Sequence, residues 1–228
     1  MSALEEVADD FMTCVQADLF RHYGRFSWPL LLRSIAFKRT FSPVFTLRLC
    51  QSLESRGWHK VLQLLPRMLH QWASARAVID LPWQTRIGAG FRIVHGFGLV
   101  VNPHARIGRN VTVFQGVTIG QRDHVSAASR ETTYPVIGDE VFIGAYAMVL
   151  GATIENGALV APLSVVVERV ESKTAVSGNP ARVIKRDIEA YVAQAWPESS
   201  DGTEPRQQPR PSQTIPQASA EDSQCTTQ

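Results

Sequence analysis

Two side chains near the middle of the chain have the types that acid–base chemistry uses: His95, in the stretch HGFGLVVNPHARIG, and Asp80, fifteen residues before it. A neutral imidazole can take a proton near pH 7, and a carboxylate on its other ring nitrogen fixes the tautomer and stabilises the imidazolium that forms. An alcohol needs such a base, because it is a poor nucleophile at neutral pH. Spacing alone leaves other readings open, with His95 as a surface histidine and Asp80 as a cap on a structural element. His104 and His124 raise a metal reading, which requires three histidines on zinc or a similar ion. The three cysteines, Cys14, Cys50 and Cys225, are odd in number and far apart, and fit neither a disulfide framework nor a zinc site.

These residues lie in or beside a repeat. From Ile87 onward aliphatic residues return every six positions, a period that fits neither a helix nor a simple strand. The series runs Ile87, Ile93, then after a two-residue slip Val101, Ile107, Val113 and Ile119. It resumes with Ile137, Ile143 and Val149, and after a five-residue step with Ile154, Val160 and Val166. Glycine often follows, as in Ile107-Gly108 and Ile143-Gly144, and a small or β-branched residue tends to stand four places on, as at Val111, Val117, Ala147 and Thr153. A triangular coil of three short strands needs one inward residue per side, and stacked coils bury these as a continuous column. The pattern predicts a left-handed parallel β-helix over residues 78–187, against the usual right-handed crossover rule.

Between Ile119 and Ile137 the pattern lapses in a polar, Ser- and Thr-rich stretch, which predicts a loop extruded over 120–135. Residues 1–77 show helical spacing and predict a small α-helical N-terminal domain of three or four helices, broken near Pro29, Pro43 and Gly57. A short C-terminal helix is expected over 188–196. The tail, 197–228, holds five prolines and six glutamines without an aromatic residue and is expected to be disordered. The net charge of +2 is close to neutral, and no nucleic-acid partner is expected. Residues 21–76 nevertheless carry ten Lys or Arg against one acid, Glu54. The acidic start MSALEEVADD is unlike a secretory signal, and no apolar run has the length of a membrane span, so a cytoplasmic protein is expected.

The segment from Asp80 through His95 to Gly120, with the closing SGNPARVIK, resembles the serine acetyltransferase family of hexapeptide acyltransferases over residues 80–187. The helical stretches DFMTCVQADLFRHYG and FTLRLCQ resemble those of shorter serine acetyltransferase-like proteins found with polysaccharide biosynthesis enzymes. The resemblance implies O-acetyl transfer from acetyl-CoA, with His95 taking the proton of the acceptor hydroxyl and Asp80 holding the imidazole. It also implies a homotrimer or dimer of trimers with the donor in the groove between neighbouring β-helices. There the backbone near Gly144, Ala145 and Ala161 would meet the pantetheine, and Asn179, Arg182 and Lys185 would stand near the nucleotide phosphates. Neither a metal nor an acyl-cysteine intermediate is implied.

In serine acetyltransferases an acid precedes the catalytic histidine and an Arg-His pair ends the extruded loop. Here the corresponding residues are Val94, Thr133 and Tyr134. A zwitterion that enters a site without charged partners loses its solvation uncompensated. The acceptor expected from these residues is therefore a sugar hydroxyl of an exopolysaccharide or capsule, met by Tyr134, His124 and Arg130, with L-serine as the alternative and a non-catalytic trimeric scaffold as a further one. The basic helical segment, with Trp28, Phe37, Phe41, Trp58 and Trp72, has two open readings: peripheral contact with the inner face of a membrane, or packing against another subunit. Family members that bind cysteine synthase do so through a C-terminal isoleucine, and the ending Thr227-Gln228 makes that partner unexpected.

Overall fold

The computed structural model describes residues 10–57, 60–125, 129–192 and 195–197; the predicted tail lies outside them apart from residue 197. Four helices come first: α1 (Phe11–Tyr23), α2 (Trp28–Phe37), α3 (Ser42–Ser55) and α4 (Lys60–Ala77). Their ends are written locally. Asp10 accepts from the amides of Met12 and Thr13 to cap α1, and Gly24 closes it at φ 68°. Pro29 and Pro43 stand in the first turns of α2 and α3, where a missing N–H costs nothing.

The β-helix follows. Its first coil holds β1 (Arg86–Ile87), β2 (Arg92–Ile93) and β3 (Val100–Val101); the second holds β4 (Arg106–Ile107), β5 (Thr112–Val113) and β6 (Thr118–Gly120). An antiparallel hairpin, β7 (Arg122–Val125) and β8 (Arg130–Thr133), leaves the wall before β9 (Val136–Ile137), β10 (Phe142–Ile143) and β11 (Met148–Leu150). The chain ends with β12 (Thr153–Ile154), β13 (Leu159–Val160) and β14 (Val165–Val166), then β15 (Ala175–Gly178) and its antiparallel return β16 (Ala181–Lys185). Parallel pairing makes three faces: β1-β4-β9-β12, then β2-β5-β10-β13-β15, then β3-β6-β11-β14. This is the left-handed parallel β-helix that the six-residue period predicts.

All twelve residues of the aliphatic series are buried, from Ile87 to Val166. Each such side chain contributes roughly 1.5–3 kcal/mol of burial. The secondary series holds at Val111, Val117 and Ala147 but not at Thr153, which is exposed. The five-residue step to Ile154 shifts the inward position back by one, and Ala152 fills it. The glycines that follow the aliphatics answer to stacking: a Cβ on Gly108 would stand 2.8 Å from the Gly138 carbonyl oxygen of the next coil.

The helical domain is riveted to the first coils by buried charge. Asp18 of α1 pairs with Arg48 of α3 at 3.0 Å and accepts from the amides of Gly90 and Phe91. Burial pushes the Asp18 carboxyl up, while Arg48 and those amides pull it back. Arg48 donates onward to the carbonyls of Ile87 and Gly88, and Arg21 to Gly90 O, Asn110 O and Thr112 Oγ1. Arg21 and Arg48 thus belong to an internal joint and not to the basic outer face expected of the whole segment. A second correction concerns 188–196, whose described residues are not helical. They form a strap held at successive coils: Ile188 N donates to Lys173 O, Tyr191 packs on Phe142, and Trp196 exchanges bonds with Asn110 and meets Phe20. These anchors override local helical preference.

Candidate active site

His95 lies at the prism edge where the β2 face turns into the β3 face. The step from Ile93 to Val101 is eight residues instead of six, and the surplus projects from the edge as Val94–Gly98. His95 itself has φ 63°, Gly96 and Gly98 have φ 70°, and two short backbone bonds, Gly96 N to Val94 O and Phe97 N to His95 O, tighten the turn. A non-glycine residue in the left-handed region is strained, and such strain gathers at functional positions. The imidazole is exposed, with the Phe114 ring of the next coil 6.3 Å away. From the helical side the loop between α2 and α3 supports the turn: a Cβ on Gly96 would meet Thr40 Cγ2 at 2.7 Å.

Asp80 is placed one coil beneath. It bridges Val100 in parallel, with Asp80 N donating to Leu99 O and Val101 N donating to Asp80 O, each at 2.8 Å. Its side chain is exposed, and it makes no hydrogen bond to the His95 ring in this single chain.

The predicted donor residues climb the same edge. Gly144 and Ala161 continue the β10–β13 register, Gly144 N donating to Val160 O and Ala161 N to Val176 O, both at 2.9 Å. Ala145 follows at the corner, where its carbonyl accepts from Leu163 N. Asn179 is in the turn of the β15–β16 hairpin, and Arg182 pairs with Ser177 beside it and with the Glu168 carboxylate at 3.5 Å. Lys185 runs back to pair with Ala175, three residues from this edge, and so stands apart from the others.

The hairpin residues are on a different edge. β7 and β8 leave the wall where the third face turns into the first, anchored by Arg122 to Val167 O at 2.8 Å. Arg130 closes on Asp123 at 2.5 Å, Thr132 bonds the same carboxylate, and His124 lies opposite Glu131. Tyr134 packs on His104 with ring centroids 4.9 Å apart. Within one chain, then, Tyr134, His124 and Arg130 share an edge with His104 and not with His95; the face that carries β3 separates them.

Sequence reasoning passed over the aromatic residues in and above the His95 turn. Phe97, in the His95 turn itself, meets Tyr146 two coils above edge to face at 6.4 Å across the Gly116 corner, both well exposed, and Phe114 packs on Phe142 at 5.1 Å. Gln115 lies one coil above the His95 turn, and its side-chain oxygen is buried without a hydrogen-bond partner. The two-residue slip was the available signal, because a break in register singles out one corner of an otherwise uniform wall.

No protein-family model matches the chain. A solved soybean serine acetyltransferase, the apoenzyme, superposes with a TM-score of 0.63 at 30% identity over 77% of this chain and 69% of the soybean chain. The chain belongs to the serine acetyltransferase-like family of hexapeptide acyltransferases. The soybean protein complexed with serine matches equally well, with a TM-score of 0.63 and 30% identity over 77% of this chain and 70% of that one. By sequence, the serine acetyltransferase of Staphylococcus xylosus is 36% identical over 131 residues, 57% of this chain and 59% of the relative. Serine acetyltransferase 2 of Arabidopsis thaliana is 36% identical over 131 residues, 56% of this chain and 39% of the relative. This family member thus spans about half the length of the curated relatives it matches.

Proposed function

We propose that the protein is an acetyl-CoA-dependent O-acetyltransferase with L-serine as acceptor. The observation that carries the reading is the His95 turn: an exposed imidazole on a strained corner, at the foot of the edge formed by Gly144, Ala145 and Ala161, in a chain of this family. Among the reported relatives, the soybean structure with serine directs the acceptor assignment away from the sugar that the neutral Val94, Thr133 and Tyr134 suggested.

In this mechanism His95 takes the hydroxyl proton as the oxygen attacks the thioester carbonyl. The tetrahedral intermediate collapses with cleavage of the C–S bond, and the imidazolium returns the proton to the departing thiolate. Asp80, one coil below, stabilises the imidazolium. Gln115 offers a buried acceptor to a bound substrate, because an unpaired buried oxygen costs ~1–3 kcal/mol until a donor reaches it. In a trimer the hairpin edge of one subunit faces the His95 edge of the next and supplies the acceptor contacts that a single chain keeps apart. Acetyl-CoA itself would lie along the Gly144–Ala161 edge, with Asn179 and Arg182 toward its phosphates.

One specific observation favours the sugar as a second reading: no charged side chain replaces Val94, Thr133 or Tyr134 at their positions. Release of CoA thiol from acetyl-CoA, measured with L-serine and with neutral sugars, decides between them. Turnover with serine alone supports the main reading; turnover with sugars alone reverses it. Absence of turnover with either leaves the non-catalytic scaffold.

A further inference from the structure

Helix α4 is amphipathic in the reverse of the usual sense. Its buried stripe is small or polar: Gln63, Pro66, His70, Ala73, Ser74 and Ala77. His70 is tied down on both nitrogens, with Nε2 donating to Leu81 O at 2.6 Å and Nδ1 lying 3.0 Å from Thr46 Oγ1. The outward side holds the large apolar residues. Leu62, Leu64, Leu65, Met68, Leu69 and Trp72 are between 43% and 65% exposed. At helical spacing they cover an arc of roughly 160° opposite the buried stripe.

The patch continues onto α2, where Trp28, Leu32 and Phe37 are 61%, 67% and 75% exposed. Arg76 links the two helices, donating to Ala36 O at 3.4 Å with its guanidinium 5.7 Å from the Trp72 ring. An exposed apolar surface of this extent marks an interaction site.

Charge identifies the occupant. Four exposed arginines, Arg25, Arg33, Arg39 and Arg76, lie on α2 and α4 or within three residues of their ends, and Glu54 is the one acid between residues 21 and 76. Two copies of this face set together would oppose like charges with almost nothing to neutralise them. An anionic lipid surface supplies the missing negative charge, while its acyl boundary takes Leu, Met and Trp side chains. No helix among the described residues is long and apolar enough to cross a membrane, so the contact is with the surface. We propose that the α2–α4 face seats on an anionic lipid bilayer.

The test is sedimentation of the purified full chain with vesicles of phosphatidylcholine alone and of phosphatidylcholine mixed with phosphatidylglycerol, with the assembly mass followed by analytical ultracentrifugation. Binding is expected to the mixed vesicles and to weaken with salt. The double variant Leu65→Glu/Met68→Glu should weaken it about a hundredfold or more at unchanged assembly mass, and Arg33→Gln about fivefold. Failure of the unaltered protein to sediment with anionic vesicles overturns the proposal. So does dissociation of the assembly in the double variant, which would show that a second copy covers the face.

Discussion

Two edges of the same prism hold their functional groups by different means. At the His95 edge the backbone does the holding: positive φ at His95, Gly96 and Gly98, the coil beneath, and Thr40 pressed against Gly96. At the hairpin edge side chains do it, with Asp123 gathering Arg130 and Thr132 and Tyr134 resting on His104. A backbone-built corner presents one group in one place and tolerates little change. A hairpin that stands off the wall can exchange its side chains without disturbing the stack. On the proposed function, this division would separate the acyl-transfer step, at the His95 edge, from the choice of acceptor, at the hairpin edge.

The largest expected effect tests the rigid edge. His95→Ala should lower kcat/KM by ~10³, within the range for loss of a general base, while the melting temperature stays within a few degrees; near-full activity would remove His95 from the mechanism. Arg48→Met tests whether the helical domain supports that edge. Leaving Asp18 buried without its partner should cost ~3–5 kcal/mol in denaturant unfolding, and an unchanged midpoint would show that the joint is not needed.

Replacing the hairpin, residues 122–133, by a short Gly-Ser turn should lower turnover about a hundredfold. Co-assembly of that variant with His95→Ala chains should restore part of it, because an intact His95 edge would then meet an intact hairpin from a neighbour. No recovery would mean that the two edges do not cooperate across subunits.

The smallest effect concerns pH. Burial, aided by Lys38, Arg92 and Arg21, pushes the His22 imidazole down from 6.5 to about 3. The folded chain therefore keeps His22 neutral where the unfolded chain protonates it, so stability is lost as pH falls below about 6.5, by at most ~1.4 kcal/mol per pH unit. His22→Phe should flatten this part of the acid slope in unfolding measured at successive pH values; an equal slope in both proteins would assign it to other groups.

Much of this was legible in the chain itself. The six-residue series placed all twelve aliphatics in the core, and the lapse after Ile119 placed the hairpin. Pro29, Pro43 and Gly57 bounded the helices through their backbone restrictions. Less legible were contacts between residues far apart in sequence. Arg21 and Arg48 read as surface cations until Asp18 and the first-coil carbonyls were seen around them. The strap at 188–196 read as helical because its local sequence permits a helix, whereas Phe142, Lys173 and Asn110 hold it along the coils.

By itself the sequence determined what repeats: the inward column, the glycines where coils touch, and the one corner where two extra residues lift His95 from the wall. These depend on spacing along the chain, which a periodic fold converts directly into position. The tertiary structure alone decided which groups share an edge. It set His95 with Gly144, Ala145 and Ala161, put Tyr134, His124 and Arg130 around a corner from them, and turned the apolar side of α4 outward. Those outcomes depend on how many coils and corners separate two residues and on what packs against each helix, and spacing carries neither.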